Sequence, residues 1–177
     1  MNDDRELIDK CIGGDEDAVE RLVIKYQKMV YSFAYRIVND MEEAKDIAQI
    51  SFIKAVQGLK GFKKEASFRT WLYRIVLNTA LNHKRKGSFR EVTLDESIAV
   101  NQTGALSLII REERRNLIKK SLDKLPGQQR LAVTLRVYEG LSCNEASKVM
   151  GCSVSTVKAH YHFGVKKLKE ILSYASD

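Results

Sequence analysis

The sequence predicts an all-α fold: two small helical domains joined by a flexible linker, with a helix-turn-helix in the second. Four observations carry this prediction. Apolar residues recur at three- and four-residue spacing through most of the chain. Strand alternation is hard to find, and one Pro against ten Gly in 177 residues leaves long stretches unbroken. The rhythm stops between residues 88 and 105, SFREVTLDESIAVNQTGA, a polar stretch without periodicity. Beyond it, two capped helical segments flank a glycine turn, the layout of a helix-turn-helix.

Composition narrows the function classes. At 44% hydrophobic the chain is globular, and its length allows one domain or two small ones. No apolar run approaches the roughly 20 residues that span a bilayer. The start, MNDDRELIDK, is charged, so no signal peptide is expected and the protein should be soluble and cytoplasmic. Cys11, Cys143 and Cys152 are odd in number and form no CxxC pair, as suits reduced thiols. The net charge is +7, and it is segregated. Residues 60–90 hold nine Lys or Arg against one acid, Glu65, whereas residues 1–59 hold eight basic and twelve acidic side chains. Such a clustered field concentrates a polyanion, either nucleic acid or an anionic membrane.

In chain order, Arg5 to Ile12 reads as a short helix stopped by Gly13-Gly14. Asp15 offers an N-cap to a helix whose apolar positions are Ala18, Leu22, Val23, Tyr26, Val30, Phe33 and Ile37. Asn39 breaks it. Asp40 with Glu43 makes a capping-box-like start for a helix to about Gln57, with Ala44, Ala48, Phe52, Ala55 and Leu59 facing the core. Its opposite face carries Asp46, Ile50, Ile53 and Gln57. Two isoleucines on a face expected to meet water indicate a covered helix. The cover is either another protein or a local tertiary contact.

GLKGFKKEA, residues 58–66, is a glycine-punctuated basic loop with one aromatic, Phe62. It leads into a helix from Ser67 to Lys86, whose core face is Phe68, Leu72, Ile75, Val76 and Thr79. A second stripe on that helix holds Ser67, Trp71, Arg74, Asn78, Asn82 and Arg85. Trp can stack on a base, Arg can meet a phosphate, and Asn pairs a donor with an acceptor for a base edge. The same stripe is also compatible with Trp71 packed at a domain seam beside a solvated face.

After the linker a helix resumes near Leu106 and runs to about Lys124, and Pro126 suits the start of another that ends at Gly140. Ser142 and Glu145 form a capping box opening SCNEASKVM, Gly151 stops that helix, and Ser153 caps the next. Val154, Val157, Tyr161, Val165, Leu168 and Leu172 form its inner face, and Ala146 is small where the two helices must approach. Ser155, Thr156, Lys158, Ala159 and His162 are then the outward, DNA-facing positions. An ordinary helical hairpin shares this pattern, but a basic, all-α chain favours DNA. Cys143, Cys152, His160 and His162 have a spacing that matches none of the usual zinc patterns. With no Gly-rich phosphate loop, nucleophile elbow or carboxylate pair with a His partner, no enzyme, cofactor, metal or small-molecule substrate is expected.

DIAQISFIKA (46–55), FKKEASFRTWLYRIVLNTALNHKRK (62–86) and LPGQQRLAVTLRVYEGLSCNEASKVMGCSVSTVKAHYHFGVKKLKE (125–170) together resemble the extracytoplasmic-function sigma factors of bacterial RNA polymerase. The resemblance covers nearly the whole chain outside the linker. It implies region two over 1–87, a linker over 88–105 and region four over 106–177. It also implies core RNA polymerase and promoter DNA as partners, and control by an anti-sigma factor, often membrane-anchored. Asp46 and Gln49, with Ile50 and Ile53 beside them, match the segment that docks on the polymerase clamp. The family usually has Glu where this chain has Ile50, a departure in keeping with the apolar outer face. Lys60, Phe62, Lys63 and Lys64 lie in what resembles the minus-ten specificity loop. Trp71, Asn78 and Asn82 match positions lining the opened strand, with Arg74 and Arg85 on the same stripe, and His83 to Lys86 would hold phosphates. The helix capped by Ser153 matches the reader of the minus-thirty-five duplex. There the family carries several Arg, whereas this chain has Lys158, His160, Tyr161, His162 and Gly164, which implies a different sequence preference or weaker phosphate anchoring.

Two rival readings have distinct signatures. A conventional helix-turn-helix regulator with a helical sensing domain has no need of an apolar face at 46–57. A helical adaptor that binds only protein has no need of the charge at 60–90.

Overall fold

The computed structural model describes residues 3–63, 65–87 and 116–173. Among them the only regular structure is helical. Helix α1 is Asp3–Ile12, α2 is Glu16–Val38, α3 is Met41–Gly58 and α4 is Phe68–Gly87, with a 3-10 turn at Leu59–Gly61. Residues 116–123 form α5. Helix α6, Gly127–Val133, runs into a π turn at Thr134–Tyr138, followed by α7, Cys143–Met150, and α8, Val154–Ser173. The expected helical start at 106 and the linker lie outside the described residues, as does Lys64.

The boundaries follow local chemistry. The Asp15 carboxylate accepts from the Ala18 N–H and the Asp40 carboxylate from the Glu43 N–H, each satisfying a donor that a helix start leaves unpaired. Asn39 ends α2 in the left-handed region, φ 60°, and its N–H returns to the Tyr35 carbonyl. The expected helix ending at Gly140 changes pitch instead. The Glu139 N–H reaches back five residues to the Thr134 carbonyl at 3.1 Å. The extra residue in that turn rotates the downstream chain by roughly 100° about the helix axis.

Helices α2, α3 and α4 pack on one another, with α1 against α2. Tyr26 meets Phe68 edge-on at 5.2 Å and Phe33 meets Tyr73 at 4.8 Å, and Val30, Phe33, Leu72, Tyr73 and Val76 are fully buried. Truncating an aromatic such as Phe33 in this core would cost ~3–5 kcal/mol. Val23, Ala48, Phe52 and Ile75, expected inside, are only half-buried, because each lies at the flank of its helix's inward stripe. Ile47, Ser51 and Tyr73 take central places instead.

The C-terminal helices form the second unit. Helix α8 packs on α6 and α7, and α7 also packs on α4. That last contact joins the two units, and Leu135, Leu141 and Val149 belong to the same buried cluster as Phe33 and Tyr73.

Candidate nucleic-acid interface

Three surfaces hold the expected site residues. On the outer face of α3, Asp46, Gln49, Ile50 and Ile53 are all exposed, Ile50 at 38% and Ile53 at 50%. Among the described residues no local contact hides the two isoleucines, so an apolar strip stands open there beside an acid and an amide.

The second surface is the loop before α4 and the stripe along that helix. Lys60, Lys63, Arg74, Asn78, Asn82 and Arg85 are exposed and Phe62 is half-buried. Ser67 has a task the stripe reading missed. Its hydroxyl accepts from the Thr70 N–H at 3.1 Å and so caps α4. Trp71 is also more constrained than a free stacking platform. Its ring sits 5.1 Å from Phe62 and 5.6 Å from Phe68, and those two stand 5.9 Å apart. Gly58 lies beneath it, where a Cβ would come 3.2 Å from Trp71 Cζ2. The half-buried indole therefore braces the loop while keeping part of its surface open to solvent. His83 and Lys84 are engaged as well. His83 Nδ1 is 3.9 Å from Glu43, and the Lys84 ammonium donates to the Ile37 carbonyl at the end of α2 at 2.6 Å. Burial, followed by the nearby Arg130, pushes the Lys84 ammonium below the usual lysine range.

The third surface is the N-terminal half of α8. The capping box before α7 is complete: the Glu145 N–H donates to Ser142 Oγ, and the Ser142 N–H donates to the Glu145 carboxylate. The Ser142 N–H and then the Ser142 hydroxyl, both donating to it, hold the Glu145 carboxyl below its usual value. Gly151 closes α7 at φ +66°, a left-handed turn that a side chain would strain. Ser153 Oγ then accepts from the Thr156 N–H and sits 2.8 Å from the Thr156 hydroxyl, so both residues are spent on the cap. Ser155, Lys158, Ala159 and His162 share one exposed stripe. Phe163, 56% exposed beside it, was not anticipated. Tyr161 turns inward beneath the Arg136 guanidinium, 5.7 Å away.

A fourth cluster had no sequence signal. Glu139, just past the π turn, is 6% exposed and points into the N-terminal unit. Its carboxylate accepts from Arg36 of α2 at 2.9 Å and from the Tyr73 hydroxyl of α4 at 2.5 Å, and its carbonyl accepts from Arg69 at 2.5 Å. Burial, then the bond to Glu139, pushes the Tyr73 phenol well above the usual tyrosine range. Nearby, the Lys148 ammonium of α7 donates to the Glu65 carbonyl in the loop before α4 at 2.7 Å. A cleft of about 490 Å³ remains between these parts, with Phe62, Lys63, Trp71 and Arg74 on one side and Lys148 and Cys152 on the other.

Comparison with known proteins matches residues 22–90 to Sigma-70 region 2 and residues 115–168 to Sigma-70, region 4. The chain is 36% identical over 167 residues to the RNA polymerase sigma-H factor of Pseudomonas aeruginosa PAO1, covering 88% of this chain and 86% of that protein. It is 35% identical to the ECF RNA polymerase sigma-E factor of Escherichia coli K12, covering 88% and 87%. Among solved structures, CnrH in complex with the cytosolic domain of CnrY is similar over 97% of both chains, with TM-score 0.74 and 25% identity. The sigma factor RpoE in complex with the anti-sigma factor NepR, from Bartonella quintana, has TM-score 0.70 and 24% identity, covering 87% of this chain and 96% of that one.

Proposed function

The chain belongs to the extracytoplasmic-function sigma factors, within the sigma-70 family of bacterial RNA polymerase, and from that membership we propose how its surfaces divide the work. It is a transcription initiation factor rather than an enzyme, one that binds core polymerase and directs it to promoters. The outer face of α3 docks on the polymerase, with Ile50 and Ile53 burying apolar area and Asp46 and Gln49 supplying polar contacts at its rim. Lys60, Lys63 and the Arg74–Asn78–Asn82–Arg85 stripe engage the melted minus-ten strand. Arg and Lys meet phosphates, the asparagines meet base edges, and Phe62 with Trp71 holds the loop around an extruded base. The stripe Ser155–Lys158–Ala159–His162 enters the major groove of the minus-thirty-five duplex, with Lys158 on phosphate.

One observation carries this division: two exposed isoleucines on α3 stand in the same unit as an exposed Arg and Asn stripe on α4. A regulator that reads duplex through a helix-turn-helix needs neither. Control by an anti-sigma factor belongs to the same proposal. The family resemblance implies it, and the similar CnrH is seen with the cytosolic domain of CnrY. Among the described residues no helix is long and apolar enough to cross a membrane, and work with the polymerase puts the chain in the cytoplasm.

The test is transcription in vitro with core polymerase and genomic promoter fragments. The expected result is promoter-specific transcripts that depend on the protein. No transcript, together with a duplex footprint by the protein alone, would hand the function to the regulator reading.

A further inference from the structure

We propose that the cavity between the end of α2 and helices α5 and α6 binds a small aromatic anion, a planar heterocycle carrying phosphate groups, of which a nucleoside diphosphate is the simplest form. This site lies apart from the three surfaces assigned to polymerase and promoter, and it stands whether or not those assignments hold.

The cavity has a volume of about 480 Å³, within the ~300–1,000 Å³ usual for small-molecule sites. One wall holds Tyr31 and Tyr35, a turn apart on α2, with Lys84 from the end of α4. The other holds Lys119 of α5, Arg130 of α6 and Tyr138. Tyr138 belongs to the π turn, and its ring meets the Arg36 guanidinium 4.9 Å away. Among the described residues, four cations line the cavity against one acid, Asp123. Two of the four are already matched: Arg130 pairs with Asp123 at 2.8 Å, and Arg36 with Glu139 at 2.9 Å. The other two meet only neutral groups. Lys84 turns toward α2 and donates to the Ile37 carbonyl at 2.6 Å, and the Lys119 ammonium stands 5.8 Å over the Tyr35 ring.

These features select one chemistry. Burial and then Arg130 hold the Lys84 ammonium below its ordinary range, even with Glu43 and Asp123 nearby. Like charges in a partly desolvated recess attract an anion more strongly than the same charges in water. The tyrosines add faces on which a planar ring stacks, with little regard to which heterocycle it is. Ile118 and Tyr138 are each 43% exposed, so apolar area is left for a ligand to cover. Asp123 is the acceptor that a ribose hydroxyl needs. An inorganic ion would use the lysines and leave the tyrosines idle. A neutral apolar ligand would cover the two ammonium groups without matching their charge.

The test is isothermal titration of the full chain, without polymerase, by ADP, adenosine and pyrophosphate. The expected result is saturable binding of one ADP per chain, at least ~10-fold tighter than either fragment, because the two halves of the ligand bind as one. Lys119→Gln and Lys84→Gln should each weaken ADP by ~5–10-fold. Arg74→Ala, on the stripe of α4, should leave it unaltered. Helix content by circular dichroism accompanies each variant. Lys119 is exposed, so its variant decides the matter if Lys84→Gln loses helix. ADP without measurable binding at ~1 mM overturns the site. Pyrophosphate as tight as ADP reduces it to a phosphate site and overturns the aromatic ligand. Loss of ADP binding in Arg74→Ala but not in Lys119→Gln moves the ligand to the strand-binding stripe and overturns the cavity. Binding of a poly(Glu,Tyr) peptide that Lys119→Gln weakens, with no binding of ADP, gives the cavity to an acidic peptide and overturns the small molecule.

Discussion

Gly164 of α8 lies so close to Val133 of α6 that a Cβ on the glycine would stand 2.8 Å from Val133 Cγ2 and 3.2 Å from the Gln129 carbonyl oxygen. Both residues are buried. A glycine in the middle of a helix costs ~1 kcal/mol relative to alanine, so this one is retained for close approach rather than for helix formation. Gly164→Ala should therefore destabilise the protein by ~1–3 kcal/mol, through overpacking against a stiff valine and backbone. Urea unfolding measures it, and unchanged or greater stability would show that α6 and α8 can move apart freely.

Trp71 and Asn78 share a stripe, but their burial predicts different failures. Trp71→Ala should cost ~2–4 kcal/mol of stability by emptying the space between Phe62, Phe68 and Gly58, and should impair strand opening as well. Asn78→Ala should stay within ~0.5 kcal/mol of the parent in stability and still impair opening. Permanganate reactivity of the melted strand, set against binding of closed duplex, separates the two. Equal loss of opening and of duplex binding in Asn78→Ala would remove that residue from the single-strand surface.

Ile50→Asp should leave the fold intact, because the side chain is exposed, and weaken association with core polymerase by at least ~10-fold. Fluorescence anisotropy of the labelled protein titrated with core polymerase gives the comparison. Unaltered affinity would mean that this face of α3 points elsewhere in the assembly.

On α8, Lys158→Ala and His162→Ala should diverge in salt dependence. Loss of a phosphate contact by Lys158 lowers the slope of log affinity against log salt by ~1, uniformly across sequences. Loss of His162, on the same stripe, should instead change the preference among minus-thirty-five duplexes, with the slope unaltered. Identical slopes for Lys158→Ala and the parent would take that lysine off the backbone.

The capping box predicts an acid response. The Ser142 donors hold the Glu145 carboxyl below its ordinary 4.5. A carboxyl depressed in the folded state stabilises above the ordinary value and loses that contribution as pH falls through the lowered one. The helix-turn-helix should accordingly weaken as pH falls below about 4.5. Ser142→Ala should cost ~1 kcal/mol at neutral pH by removing the N-cap, and flatten the acid limb. An acid profile that Ser142→Ala leaves unchanged would assign the response to other carboxylates.

Helix caps, apolar periodicity and charge segregation are local properties, set by groups a few residues apart. For that reason Asp15, Asp40 and the Ser142–Glu145 box could be read before any fold was known, and so could the stripes on α3, α4 and α8 that stand exposed. Trp71 was legible only as an anomaly on a polar stripe. Its packing depends on Phe62, where a loop folds back, and on Gly58, which ends a different helix. The Gly164 contact was equally hidden, since nothing in the spacing of α8 reports where α6 will lie.

By itself the sequence determined an all-α chain, two units, a helix-turn-helix and a basic surface, because each follows from hydrogen bonds and hydrophobic periodicity within one segment. Only the tertiary structure decided what Glu139 does. Its partners Tyr73 and Arg36 are 66 and 103 residues away. A π turn with no evident sequence signature precedes it, so no local rule could have brought them together. The physical reason is that a buried charge is defined by what surrounds it in space, and here the surroundings come from helices at the far end of the chain.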